Sequence, residues 1–191
     1  MPLFRPLASR TARWRPAEGE GLEHLDLRPA QGGGLLASAV VIGGTGADAF
    51  GLRYRIRLGD DWRVRDLAVE RTDGPSLGLV SPEPGLWRTA DGAPRPELDG
   101  CIDVDIQATP FTNTLPIRRL GLTRAMGIAE LRMVYVPLDT LVPFPDGQRY
   151  AALEDGRRYR YEAADDGFAA ELVLDEDGLV LDYPGLFRRV F

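Results

Sequence analysis

The sequence predicts an all-β fold: one many-stranded antiparallel sheet, closed as a β-barrel or wound as a spiral β-roll, with little helix. Three observations carry this. Fifteen prolines and 22 glycines are spread along 191 residues, which leaves long helices little room. Short segments alternate apolar and polar residues with a period of two. Six turn dipeptides, Asp73-Gly74, Asp91-Gly92, Asp146-Gly147, Asp155-Gly156, Asp166-Gly167 and Asp177-Gly178, punctuate them.

Residues 1–12 read as a flexible segment or an added strand. Strands are then predicted at 22–28 and 35–42. The clearest is Leu52-Arg53-Tyr54-Arg55-Ile56-Arg57-Leu58, with apolar side chains on one face and arginines on the other. Gly59-Asp60-Asp61 turns the chain, Trp62-Arg63-Val64-Arg65 begins the return, and a slip in the alternation near Asp66-Leu67 predicts a bulge. Further strands are predicted at 76–80, 85–89, 98–108, 117–123, 128–136, 148–154, 157–163, 168–174 and 179–183. One helical turn fits near 137–144, between Pro137 and Pro143. The absence of a linker, repeat or low-complexity stretch in the sequence predicts a single domain over 1–191.

A net charge of −6 argues against nucleic acid as a partner. All 23 basic residues are arginine, so Schiff-base lysine chemistry is excluded. One cysteine, Cys101, rules out an internal disulfide. The N-terminus has no apolar signal region, and the longest apolar run, 35–42, is too short to span a bilayer. The expectation is a cytoplasmic protein without stable membrane insertion.

GGTGADA at 43–49 loosely matches a dinucleotide-binding loop, but a strand follows where that motif needs a helix, so it reads as a hairpin loop. His24 and Cys101 are far apart, and the four serines lack a nucleophile context, so no metal or cofactor is expected. Asp103 and Asp105 sit two apart on a strand and share a face, with Cα atoms about 6.5–7 Å apart. Such a pair suits acid–base work on a glycosidic bond, or an acidic stripe paired to arginines such as Arg53, Arg55 and Arg57. Thr109-Pro110-Phe111-Thr112-Asn113-Thr114-Leu115-Pro116 cannot be a central strand, because each proline removes a donor. Its hydroxyls and amide either close a turn or bind a polyhydroxyl ligand. Arg118 and Arg119 alternate on the predicted strand beyond it, and an inward one must be paired or must meet an anion. Tyr159 and Tyr161 share a strand face, opposite Arg158, Arg160 and Glu162.

CIDVDIQATPFTNTLPIRRL (101–120), LRMVYVPL, QRYAAL, RYRYE and the C-terminal GLVLDYPGLFRRV together resemble the glycolipid-binding family of bacterial proteins, once a domain of unknown function. The resemblance runs from about Trp14 to the C-terminus. It implies a many-stranded barrel or roll distantly like the lipoprotein localisation factors, a homodimer, and a pocket for a glycolipid or other amphipathic small molecule. On that reading the 101–120 segment turns at the pocket mouth. Asp103, Asp105, Thr112, Asn113 and Arg118 or Arg119 are expected to meet the polar end of the ligand, with Tyr135, Tyr159, Tyr161 and Glu162 as further contacts. Three functions compete: a non-catalytic binding or carrier protein for a lipid or glycolipid, an enzyme acting on a sugar or glycolipid with Asp103 and Asp105 or Glu162, and a dimeric interaction module with a filled interior.

Overall fold

The computed structural model describes residues 2–6 and 8–191. Its strands are β1 (Arg10–Pro16), β2 (Gly21–Pro29), β3 (Leu35–Gly43), β4 (Phe50–Leu58), β5 (Val64–Arg71), β6 (Ser76–Glu83), β7 (Leu86–Thr89), β8 (Asp103–Ile106), β9 (Ile128–Val136), β10 (Phe144–Glu154), β11 (Arg158–Ala163), β12 (Ala169–Leu174), β13 (Val180–Tyr183) and β14 (Phe187–Arg189). One α-helix, α1 (Thr114–Leu120), and four short 3-10 turns complete it.

All fourteen strands form one sheet in the order β7-β6-β5-β4-β3-β2-β1-β14-β13-β12-β11-β10-β9-β8. Neighbours are antiparallel except β8 and β9, which run parallel from Asp103 opposite Met133 to Ile106 opposite Val136. The sheet is therefore mixed. Its ends, β7 and β8, do not pair with each other among the described residues, so the ladder does not close into the expected barrel. Local alternation explains the strands themselves. In β4, Leu52, Tyr54, Ile56 and Leu58 are buried and Arg53, Arg55 and Arg57 are exposed, as the period-two pattern requires. The predicted bulge lies one residue earlier than the slip: Arg57 faces Asp66 and Leu58 faces Val64, which leaves Arg65 unopposed. GGTGADA is the β3–β4 hairpin loop, with a 3-10 turn at Gly46–Asp48.

Three predicted elements differ. The 98–108 strand shrinks to the four residues of β8, behind a 3-10 turn at Pro96–Leu98. The turn predicted at 137–144 closes once, by the Leu141 N–H donating to the Pro137 carbonyl at 3.1 Å, and β10 starts at Phe144. The strand predicted at 117–123 is instead the end of α1. Residues 108–117 are all buried. A buried segment with no strand beside it must pair its backbone internally, and a helix does that. Pro116 is the third residue of α1, where its missing N–H has no helical partner to lose. Gly121, at φ +56°, ends the helix in the left-handed region.

The interior holds two apolar clusters. One gathers the inward residues of β1 to β5 with Trp87, Phe111 and Leu115, and with Val104, Ile106, Val134 and Val136 of β8 and β9. The other gathers Phe4, Ile117, Tyr150, Tyr159, Tyr161 and Tyr183 with Leu172 and Leu174. The segment 111–117 thus wedges between the two halves of the sheet.

Candidate functional site

A pocket of about 260 Å³ opens where the β1–β2 and β3–β4 hairpins end. Its wall is apolar, with Trp14, Val41, Ile42, Phe50, Leu138 and Phe187, and its rim includes Gly43, Gly44 and Thr45 of the GGTGADA loop. Among these side chains stands Glu23, 2% exposed. The alternation of β2 sends Glu23, Leu25 and Leu27 inward, so a carboxylate occupies an apolar slot. The Tyr54 hydroxyl donates to Glu23 Oε1 at 2.6 Å, and the Thr109 hydroxyl donates to the same oxygen at 2.7 Å. Glu23 Oε2 is the buried side-chain polar atom left without a hydrogen bond among the described residues. Burial pushes the Glu23 carboxyl up to about 7, against the pull of the two hydroxyls. An unpaired polar atom in an apolar wall is costly unless something meets it. This is a built polar anchor inside a hydrophobic recess, the layout of a small-molecule site.

The residues singled out in the sequence fall into a second arrangement and into the surface. Asp103, 1% exposed, is gripped by the Arg119 guanidinium in a fork, with Nε at 2.9 Å from Oδ1 and Nη2 at 2.6 Å from Oδ2. Burial pushes the Asp103 carboxyl up and Arg119 pulls it back. The neighbouring Asp105 accepts from the Thr112 hydroxyl at 2.9 Å and from Gln148 Nε2 at 2.7 Å. Desolvation raises its carboxyl as well. Asn113 Oδ1 accepts from the Tyr150 hydroxyl at 2.9 Å, and Gln148 Oε1 accepts from the same hydroxyl at 3.2 Å. Asp105, Thr112, Asn113, Gln148 and Tyr150 therefore form one nest. The Asp105 charge also reaches Tyr135, Tyr161 and Tyr183, and adds to the burial that raises their hydroxyls.

Arg118 points elsewhere: it stacks over Trp62 with its Cζ 4.3 Å from the ring centroid, and donates to the carbonyls of Asp177 and Arg5. The Tyr159 hydroxyl donates to the Leu122 carbonyl at 3.1 Å within the second core. Glu162 pairs with Arg160 and Arg149 across the outer face. The arginine stripe of β4 finds its acids on β5, as Arg53 with Glu70 and Arg57 with Asp66, rather than at Asp103 or Asp105.

A row of aromatic rings links pocket and nest. Phe187 lies 6.4 Å from Tyr183, Tyr183 lies 6.1 Å from Tyr161, and Tyr161 lies 5.3 Å from Tyr150. The 103–113 segment touches both ends, with Thr109 on Glu23 and Asp105, Thr112 and Asn113 in the nest. Glu23 and Phe187 go unflagged in the sequence, Tyr54 reads as an apolar-face strand residue, and Thr109 is one of the hydroxyls expected to close a turn or bind a ligand. One signal for Glu23 was present: counting back by twos from Leu27 and Leu25 places it on the buried face of its strand.

A family model described as "Putative glycolipid-binding" matches residues 11–189. The crystal structure of a DUF1089 family protein from Pseudomonas aeruginosa is similar at 37% identity and a TM-score of 0.79, over 93% of this chain and 95% of that one. No curated protein matches. With its model spanning nearly every strand, the family is shown: this chain belongs to the family described as "Putative glycolipid-binding".

Proposed function

We propose that this protein binds, without transforming, an amphipathic ligand of the glycolipid class, whose apolar part lies in the pocket walled by Trp14, Val41, Phe50 and Phe187. The observation that carries this is Glu23, a buried carboxylate with one oxygen unpaired in an otherwise apolar recess. The family description points the same way. The polar end of the ligand is met by the unpaired oxygen of Glu23, and its apolar part by the surrounding rings. Binding rather than hydrolysis is favoured because Arg119 holds both oxygens of Asp103, so Asp103 and Asp105 are not a pair of free carboxyls.

The test is native mass spectrometry of the protein purified from its own host, followed by organic extraction. Wild type is compared with Ile42→Trp, which enlarges an exposed residue at the pocket's edge. A stoichiometric lipid adduct on wild type, lost from a normally folded Ile42→Trp, is the expected result. An adduct on both proteins, or on neither after incubation with host lipid extract, sinks the reading.

A further inference from the structure

The charge pattern of the pocket says more than its apolarity. None of the chain's 23 arginines lines it, whereas Glu18, Glu20 and Glu23 do. Arg189, which stacks 5.2 Å from the centroid of the Trp14 ring, does not line the pocket and is already paired with Asp175. The Glu23 carboxylate accepts two hydroxyl protons on Oε1, so its charged form is half prepared, yet no cationic side chain bonds to it among the described residues. An anionic head group entering here meets three carboxylates and no counter-charge, and is repelled. A neutral hydroxyl gives Oε2 a hydrogen bond but leaves the buried charge uncompensated. A protonated amine supplies both the donor and the charge. The rings of Trp14, Phe50 and Phe187 in the same wall suit a cation as well.

We propose that the ligand group seated on Glu23 is a protonated amine, so that the pocket selects cationic amphiphiles, carrying an amino sugar or a long-chain base, over neutral or anionic ones. This rests on the reading of the pocket as the amphiphile site. Binding releases up to one proton: the ammonium enters charged, Glu23 ends as the carboxylate, and the fraction of Glu23 protonated beforehand, about half at pH 7, releases its proton to the buffer.

The experiment is isothermal titration calorimetry at pH 7, below micelle-forming concentrations, with four probes sharing one octyl chain: octyl glucoside, its 2-amino-2-deoxy counterpart, octylamine and octanoate. The expected result is that the amino glucoside binds at least about tenfold tighter than octyl glucoside and that Glu23→Gln removes the difference. Proton release, read from heats in buffers of different ionisation enthalpy, accompanies the amine probes in wild type alone. Octylamine binding alongside the amino glucoside shows that the amine suffices. Binding of the amino glucoside without octylamine assigns the site to an amino sugar. Octyl glucoside binding as tightly as its amino counterpart, or amine binding without proton release, overturns the amine assignment and leaves the pocket reading standing. No binding of any probe overturns both. The proton count is made on wild type and does not depend on the variant folding.

Discussion

Glu23 makes the folded state pay for its own ionisation. Its carboxyl is raised to about 7 in the folded protein from an ordinary value of 4.5. The folded state therefore holds a proton that the unfolded chain has lost, throughout the interval between these values. The stability contribution is complete below pH 4.5 and is lost as pH rises through about 7. The loss is on the order of 3 kcal/mol. Other carboxyls, such as Asp26 and Asp73, are lowered by their partners and slope the other way, so the difference between proteins is the measurement. Glu23→Gln is expected to match wild type at pH 4.5 and to exceed it in Tm at pH 8. Equal Tm values at both pH values would show that Glu23 ionises without cost. The Asp103–Arg119 pair makes the opposite case, a buried charge that is fully matched. Arg119→Met leaves Asp103 alone and is expected to cost roughly 3–5 kcal/mol in urea unfolding. The double variant with Asp103→Leu is expected to recover most of that. Additive losses in the double variant would refute the pairing as the source. At this scale the sequence told the face of Asp103 and Asp105 correctly, since β8 is a strand there. It could not tell their partners, because Arg119, Thr112 and Gln148 come from a helix, a 3-10 turn and a distant strand.

Strand and hairpin content was legible because each hairpin is specified locally, by alternation and a turn residue. The β2–β3 hairpin shows how tight that specification is. Gly34 sits at φ +73°, and a Cβ there would lie 2.0 Å from the Leu58 carbonyl oxygen. Gly32, in the same turn at φ +90°, has nothing within 4 Å. Gly32→Ala is expected to cost only backbone strain, roughly 1–2 kcal/mol. Gly34→Ala must also displace β4 from β3, and about 3 kcal/mol is expected. Urea midpoints of the two variants decide it, and equal losses would mean the close approach is relieved without disturbing the ladder. What was not legible is α1. TLPIRRL has two prolines nearby and no amphipathic length, and a seven-residue helix is not stable by itself. Burial on all sides makes it a helix, and burial is a property of the whole sheet rather than of the segment. The parallel pairing of β8 escaped for the same reason, since its partner β9 lies beyond α1 in the chain.

At the scale of the molecule, the sheet is two sets of seven strands joined at one place. Every pairing on the first side lies within β1 to β7 and every pairing on the second within β8 to β14, save β1 with β14. That joint spans three residue pairs, Trp14 with Arg189, Arg15 with Arg188 and Pro16 with Phe187. Backbone bonds beyond both ends reinforce it: the Arg13 N–H donates to the Phe191 carbonyl at 2.8 Å and the Val190 N–H to the Arg13 carbonyl at 2.9 Å, while the Ala17 N–H donates to the Leu186 carbonyl at 2.8 Å. Phe187 is also a wall of the pocket, so the joint and the proposed ligand site share a residue. Deleting residues 187–191 would leave β1 and β13 as bare edges and couple the two halves of the sheet through the 111–117 wedge, the β8 and β9 residues packed in the first core, and the Ala17–Leu186 backbone bond. The three tryptophans, Trp14, Trp62 and Trp87, all belong to the first core, while four of the five buried tyrosines, Tyr150, Tyr159, Tyr161 and Tyr183, belong to the second and Tyr54 to the first. Tryptophan fluorescence therefore reports the first core, and the near-ultraviolet tyrosine signal is weighted to the second. In wild type the two urea transitions are expected to coincide, as one cooperative unit requires. In the truncated protein the tyrosine transition is expected at lower urea than the tryptophan one, because the second set loses β14 from its own ladder while the first loses only a neighbour. Coincident transitions at an unchanged midpoint would place the coupling in the 111–117 wedge instead, and the same two probes on a Phe111→Ala protein would then separate.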